Sequence, residues 1–320
     1  MNVLLLCFPA GRLSEAHVAQ IQAAVPDMRV VVTNERDTIE SILDDIEIAA
    51  GNFPYDQLPR AHNLRWFQTW GAGVDWLLRH PEAVKLKFVL TNASGVHAVP
   101  ISEQIVAYLL AFARRLPAAV RAQERRVWRS PTRDDVFELD GKTMLLVGVG
   151  AIGGRTAAIA SALGMRVLGV RRSATGDVPG VAAMFSSDRL LDLLPEADFV
   201  VLTVPLSRVT RGMIGERELR AMRATAYLIN IGRGGTVQEE ALIRALREGW
   251  IAGAALDVFA QEPLPETSPL WGLDNVIITA HYAGLTPKYD GRALVIFLDN
   301  LRRYRAGEPL QNVVDKEAGY

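Results

Sequence analysis

The sequence predicts an α/β protein of two Rossmann-like domains, each a doubly wound parallel sheet, with a cleft between them. Three observations lead there. One apolar run stops on a glycine-rich turn, Met144-Leu-Leu-Val-Gly-Val-Gly-Ala-Ile-Gly153. Short apolar runs alternate with helical stretches along most of the chain, as crossover connections require. And 320 residues exceed the usual size of a single domain.

Before the turn, the runs Val3 to Leu6, Arg29 to Val32, Ile46 to Ala49, Leu64 to Gln68 and Phe88 to Leu90 read as the strands of a first α/β unit. From Ile101 the period changes. Ile101, Ile105, Val106, Leu109, Leu110, Ala113 and Leu116 follow helical spacing between Pro100 and Pro117, which predicts a long helix joining two domains. Residues 144–147 then form the first strand of a second unit. Gly148-x-Gly150-x-x-Gly153 has the spacing that turns the backbone tightly and lets it approach a pyrophosphate at a helix N-terminus, with Ala151 and Ile152 in the first turn. Ala157, Ala158, Ala160 and Ala162 suit a helix lying close on a sheet, and Arg166 to Val170 is the next strand. The alternation continues through 199–203, 227–230, 254–256 and 276–279, giving six strands in all. A last amphipathic helix carries Leu294, Phe297, Leu298, Leu301 and Tyr304 back to the first domain. The predicted division is therefore 1–98 with 287–320 for substrate and 99–286 for the dinucleotide.

Composition narrows the function class. A net charge of −1 and a pI near 6.5 offer no field for nucleic acid or an anionic membrane surface. No apolar run reaches the roughly 20 residues of a membrane span. The lone cysteine, Cys7, excludes an intramolecular disulfide framework and suits a reducing, cytoplasmic setting. No cluster suggests a metal.

Three stretches fall at strand C-termini, where open parallel sheets bind ligands: Asn230-Ile-Gly-Arg-Gly-Gly235, Asp257-Val-Phe-Ala-Gln-Glu-Pro-Leu264 and Thr279-Ala-His-Tyr-Ala-Gly284. They supply a guanidinium (Arg233), a carboxylate (Glu262) and an imidazole (His281). Beside a nicotinamide, that set matches ketone reduction: a cation to hold a substrate carboxylate and polarise the carbonyl, and a proton donor for the forming alkoxide. A glutamate next to the histidine would keep that proton in place. Trp70, Trp76, His97 and Tyr282 are expected to shape the substrate pocket.

The end of the second cofactor strand bears on which dinucleotide is taken. An NAD site would carry Asp or Glu about 20 residues after the glycines. Here the strand ends Gly169-Val-Arg-Arg-Ser173, with no acid before Asp177. Arg171, with Arg172 and Ser173 assisting, is expected to hold a 2′-phosphate, which predicts preference for NADP with NAD possible.

Across almost its whole length the sequence resembles the D-isomer-specific 2-hydroxyacid dehydrogenases, which include glyoxylate/hydroxypyruvate reductases. The resemblance rests on Gln68-Thr-Trp-Gly-Ala-Gly-Val-Asp75, Thr91-Asn-Ala-Ser-Gly-Val96, Leu139-Asp-Gly-Lys142, Val204-Pro-Leu206 with Thr210, and the three stretches above. It implies that Arg233 orients the substrate, Glu262 pairs with His281, and His281 is the acid or base. It also implies that the backbone at Ala72 and Gly73 takes the substrate carboxylate and that Asp257 holds the carboxamide. Val204, Pro205, Thr210, Ile231 and Gly232 would line the cofactor, and the chain would form a homodimer through its cofactor domain. The implied activity is reduction of a small 2-oxo acid to a D-2-hydroxy acid. The alternative is a nucleotide-sensing binding protein resembling the family's corepressors, against which an intact Arg233, Glu262 and His281 speak. Formate oxidation is disfavoured because a glutamate, not a glutamine, accompanies the histidine. One departure is Ala280, where the family usually has proline before the histidine, which leaves the rigidity of that loop in question.

Overall fold

The computed structural model describes residues 1–172 and 176–319. The chain divides into two compact units, Met1–Val96 together with the chain from Thr286 onward, and His97–Leu285.

In the first unit, strands β1 (Val3–Cys7), β2 (Arg29–Val32), β3 (Ile46–Gly51), β4 (Trp66–Gln68) and β5 (Val89–Thr91) form a parallel sheet in the order β2-β1-β3-β4-β5. Every residue of β1 is buried, as a central strand covered on both faces requires. Helix α1 (Glu15–Ala24) begins where Ser14 Oγ accepts the His17 amide, and α2 (Arg36–Ser41) follows β2.

The second unit opens with α3 (Ala98–Ala113) and α4 (Leu116–Glu124). The helix predicted from Ile101 begins three residues earlier, because Pro100 is tolerated in a first turn where no intrahelical N–H is needed. It ends before Leu116, where Arg115 takes the left-handed conformation and caps α4, with Pro117 in that helix's first turn. The whole of α3 belongs to this unit. Then come β6 (Thr143–Val147), α5 (Ala151–Ala162), β7 (Arg166–Arg171), β8 (Ala183–Ser186), α6 (Leu190–Leu193), β9 (Phe199–Leu202), α7 (Glu216–Ala221), β10 (Tyr227–Asn230), α8 (Glu239–Glu248), β11 (Gly253–Leu256) and β12 (Val276–Ile278).

The second sheet is parallel and runs β12-β11-β10-β9-β6-β7-β8. It has seven strands where the sequence reading expected six. The strand not foreseen is β8, a four-residue edge strand whose residues are all half-buried; the apolar stretch that contains it, Val181-Ala-Ala-Met-Phe185, is rich in alanine and has one β-branched residue, so strand propensity marks it weakly. With β8 the order contains the 3-2-1-4-5-6 arrangement of doubly wound dinucleotide folds, and β12 adds one strand beyond it. The order reverses between β6 and β9, the switch point beyond whose strand C-termini doubly wound sheets bind their ligands.

The last helix, α9 (Tyr289–Ala306), returns to the first unit, packing Ala293, Leu294, Phe297 and Leu301 against Leu4, Leu6, Ile48 and Trp66. Trp70 and Trp76, expected at the pocket, are core residues of this unit, 5% and 4% exposed. Trp70 meets Phe8 and Phe297 edge-on, and Trp76 stacks on Tyr55. Large rings that bury this much surface serve packing first.

Candidate active site

The glycine turn after β6 has a steric reason at two of its three motif positions. Gly148 has φ +101°, and a β-carbon there would lie 2.9 Å from both Thr203 Oγ1 and Val204 Cγ1, beyond the end of β9. A β-carbon on Gly153 would lie 2.2 Å from the Gly148 carbonyl oxygen, so glycine alone lets α5 seat against the turn. Gly150 is different. It caps α5, and a β-carbon there would meet nothing within 4 Å. Two glycines fix the loop, and the third leaves open space at the N-terminus of a twelve-residue helix, in the place a pyrophosphate needs. Ala151 is exposed beside it and Ile152 half-buried.

The other predicted cofactor residues line the ends of neighbouring strands. After β9, Thr210 Oγ1 donates to the Pro205 carbonyl at 2.6 Å and accepts the Ser207 amide at 2.8 Å, knitting Val204 to Thr210 into a fixed loop. After β10, a β-carbon on Gly232 would lie 2.6 Å from the Val204 carbonyl oxygen, so Ile231 and Gly232 pass close against that loop. At the end of β7, the half-buried Arg171 reaches the Gly176 carbonyl with one terminal nitrogen at 3.5 Å, while its buried Nε has no hydrogen-bond partner among the described residues. Arg172 is exposed. Ser173 lies outside the described residues.

Arg233 is held by its backbone. Asn230, 1% exposed, donates from Nδ2 to the Arg233 carbonyl at 3.1 Å and accepts the Gly232 amide at the same distance, and Thr236 Oγ1 donates to the Arg233 carbonyl at 2.7 Å. A β-carbon on Gly234 would lie 1.9 Å from the Phe259 carbonyl carbon, so the arginine loop packs directly on the loop that leads to Glu262. Sequence reasoning passed over Asn230. Its signal is an amide side chain at a strand end followed two residues later by glycine, the pattern of a side chain that bonds its own turn.

Glu262 and His281 come together as expected. Glu262 Oε1 accepts the Phe259 amide at 2.9 Å, and Oε2 lies 2.6 Å from His281 Nδ1. A carboxylate can only accept, so Nδ1 is the donor and Nε2 is the nitrogen left for other chemistry. Both side chains remain partly open, 48% exposed for His281 and 36% for Glu262.

His281 itself sits at φ +53°, a left-handed conformation that histidine enters more readily than most residues but still uncommonly. Asp257, 2% exposed, maintains it. Its carbonyl accepts the His281 amide at 2.8 Å, Oδ1 accepts the Tyr282 amide at 3.1 Å and the Thr279 hydroxyl at 2.5 Å, and Oδ2 accepts the Ala283 amide at 3.1 Å. The residue that the resemblance assigns to the carboxamide thus also grips the histidine loop.

His97 caps α3 and lies against the same loop, 2.7 Å from the position of a β-carbon on Gly284. Burial first, then the Arg233 guanidinium and His281, hold its imidazole below the usual histidine value. Arg233, His97 and His281 are therefore electrostatic neighbours. Tyr282 is half-exposed beside them.

In the first unit, the predicted carboxylate-binding turn is also pinned. Asn92 Nδ2 donates to the Ala72 carbonyl at 2.9 Å, Ala93 N and Thr69 Oγ1 each donate to the Gly71 carbonyl at 3.0 Å, and Gly73 is exposed. Trp70 Nε1 donates to Asp290 at 3.0 Å and Tyr289 donates to the Trp70 carbonyl at 3.1 Å, so α9 supports this turn. Among the described residues, no cluster of three or more His, Cys, Asp or Glu could hold a metal, and no helix is long and apolar enough to cross a membrane.

A doubly wound sheet with an open glycine turn at its switch point, and an imidazole–carboxylate pair at neighbouring strand ends, defines a nicotinamide-dependent oxidoreductase. Residues 106–283 match the model of the D-isomer specific 2-hydroxyacid dehydrogenase, NAD binding domain. A glyoxylate reductase of Thermofilum pendens is 39% identical over 80% of this chain and 76% of its own. Among solved structures, a D-isomer specific 2-hydroxyacid dehydrogenase from Xanthobacter autotrophicus Py2, in complex with NADPH and MES, is 30% identical with a TM-score of 0.87 over 100% of this chain and 99% of its own. An NADPH-dependent glyoxylate/hydroxypyruvate reductase from Sinorhizobium meliloti, in complex with NADP and sulfate, is 28% identical with a TM-score of 0.85 over the whole of both chains. The chain belongs to the D-isomer specific 2-hydroxyacid dehydrogenase family.

Proposed function

We propose that this protein is an NADPH-preferring reductase of small 2-oxo acids of the glyoxylate or hydroxypyruvate type, yielding D-2-hydroxy acids. The observation that carries the reading is the His281–Glu262 pair at 2.6 Å, standing at strand ends of the same sheet as the open glycine turn. Gly148, Gly150 and Gly153 with the first turn of α5 would hold the pyrophosphate, and Arg171, with Arg172 and Ser173, the 2′-phosphate. When bound, the dinucleotide supplies the hydride. His281 gives the proton from Nε2 to the carbonyl oxygen as the carbon is reduced, while Glu262 keeps the ring oriented through Nδ1. Arg233 would hold the substrate carboxylate and polarise the carbonyl, and the resemblance gives the backbone at Ala72 and Gly73 a carboxylate-binding role. Asp257 would accept from the carboxamide through the acceptor position left on Oδ2.

Support for NADPH comes from the arginines in place of an acid after β7, and from relatives solved with that cofactor. We also infer a homodimer, because Leu116, Val120, Val127 and Trp128 leave an apolar surface on α4 and the segment after it, with Trp128 fully exposed. A cytoplasmic setting is in keeping with Cys7, a buried free thiol pushed up to about 11 by burial.

A panel of 2-oxo acids assayed with NADPH and with NADH tests the function. Oxidation of NADPH by glyoxylate or hydroxypyruvate is expected, and a protein that turned over none of the panel with either cofactor would not be this reductase. Sizing of the purified protein tests the dimer.

A further inference from the structure

The loop that carries His281 lacks the proline that the resemblance leads one to expect at 280, yet it holds histidine at a positive φ. The hydrogen bonds of Asp257 continue beyond the loop. Thr279 donates its hydroxyl hydrogen to Asp257 Oδ1, so it can only accept from the next partner, Tyr108, whose hydroxyl lies 2.5 Å from Thr279 Oγ1. Tyr108 stands on α3 and is 3% exposed. Burial pushes its phenol up to about 12, so it remains a donor through the range in which the protein would work. The result is a directed chain, Tyr108 to Thr279 to Asp257, ending on the carboxylate that receives the amides of Tyr282 and Ala283 and whose own backbone receives that of His281.

We propose that Tyr108 is a positioning residue for the acid–base histidine: its buried hydroxyl locks Thr279 and Asp257, and through them the His281 turn, in place of a proline at 280. The role rests on His281 being the proton donor, but the locking itself does not. Ala280 is exposed, and its amide donates no backbone hydrogen bond among the described residues, so a proline at that position would remove no such bond.

Two measurements separate the outcomes. Amide exchange of Tyr282 and Ala283 in the cofactor-free protein reads the lock without any activity. Tyr108→Phe should speed it roughly 10-fold, and Tyr108→Phe with Ala280→Pro should return it toward wild type. Unchanged exchange in Tyr108→Phe would overturn the proposal. In kinetics, Tyr108→Phe should lower kcat roughly 10- to 100-fold while leaving KM for the 2-oxo acid nearly unchanged, because a displaced donor costs the chemical step rather than substrate binding. Ala280→Pro should restore most of that kcat. Loss of kcat with no rescue by proline would mean that Tyr108 only fills the core. A wild type inactive on every 2-oxo acid would remove the function reading, and the exchange experiment would still decide the lock.

Discussion

The His281 loop and the end of β7 lie at C-terminal ends of strands in one sheet, and they are built in opposite ways. The histidine loop is tied by its own chain: Asp257 takes two amides and a hydroxyl through its carboxylate and a third amide through its carbonyl, and Glu262 fixes the ring. At the end of β7, Arg171 makes one long contact to Gly176 and leaves a buried Nε without a partner among the described residues. The difference teaches which groups must be ready before the ligand arrives. A proton donor is useful only at a fixed distance from the reacting carbonyl, whereas a guanidinium that selects a phosphate is completed by the phosphate itself.

That contrast fixes where substitutions should hurt. His281→Asn should fold with wild-type stability and lose ~10²–10⁴ in kcat, measured by steady-state NADPH oxidation. Near-normal turnover would show that the wired loop serves no proton. Arg171→Asp should leave kcat with NADH almost intact and shift the NADPH-to-NADH ratio of kcat/KM by about 10- to 150-fold toward NADH, the worth of one charged hydrogen bond of roughly 1.5–3 kcal/mol. A ratio that did not move would make the end of β7 ordinary surface and erase the contrast.

The smallest effect concerns His97. Because burial, Arg233 and His281 hold it below the ordinary value of 6.5, the unfolded chain takes up this proton first as pH falls. Stability associated with neutral His97 is thus full above that value and is lost progressively below it. His97→Asn should flatten the fall in Tm between about pH 7.5 and pH 5.5 relative to wild type. An unchanged slope would mean that His97 carries no such burden and is not a close neighbour of Arg233 and His281 in solution.

Much of this molecule was legible from its residues. Glycines with a steric duty announce themselves, since Gly148 and Gly153 stand where a β-carbon would strike the chain. Arg233, Glu262 and His281 were legible as candidates because strand ends are where open parallel sheets bind ligands. What the sequence hides is whatever depends on a partner far along the chain. Trp70 and Trp76 look like pocket residues until α9, Phe8 and Tyr55 are seen covering them. Strand β8 carries too weak a strand propensity to be read at a sheet edge. Tyr108 is one more buried position in a helical pattern until Thr279, 171 residues later, is found within hydrogen-bond distance. Asn230 does have a local signal, and its duty in holding the Arg233 loop could have been inferred from the turn that follows it.

The account turns on His281 being paired with Glu262 through Nδ1 before any ligand binds, and nitrogen NMR of the imidazole in the cofactor-free protein addresses that directly. The prediction is an Nδ1-protonated ring with a strongly downfield Nδ1 proton that is present without cofactor, disappears in Glu262→Ala and hardly moves when NADPH is added. A ring protonated at Nε2 alone, or an Nδ1 proton that appears only with cofactor, would contradict it.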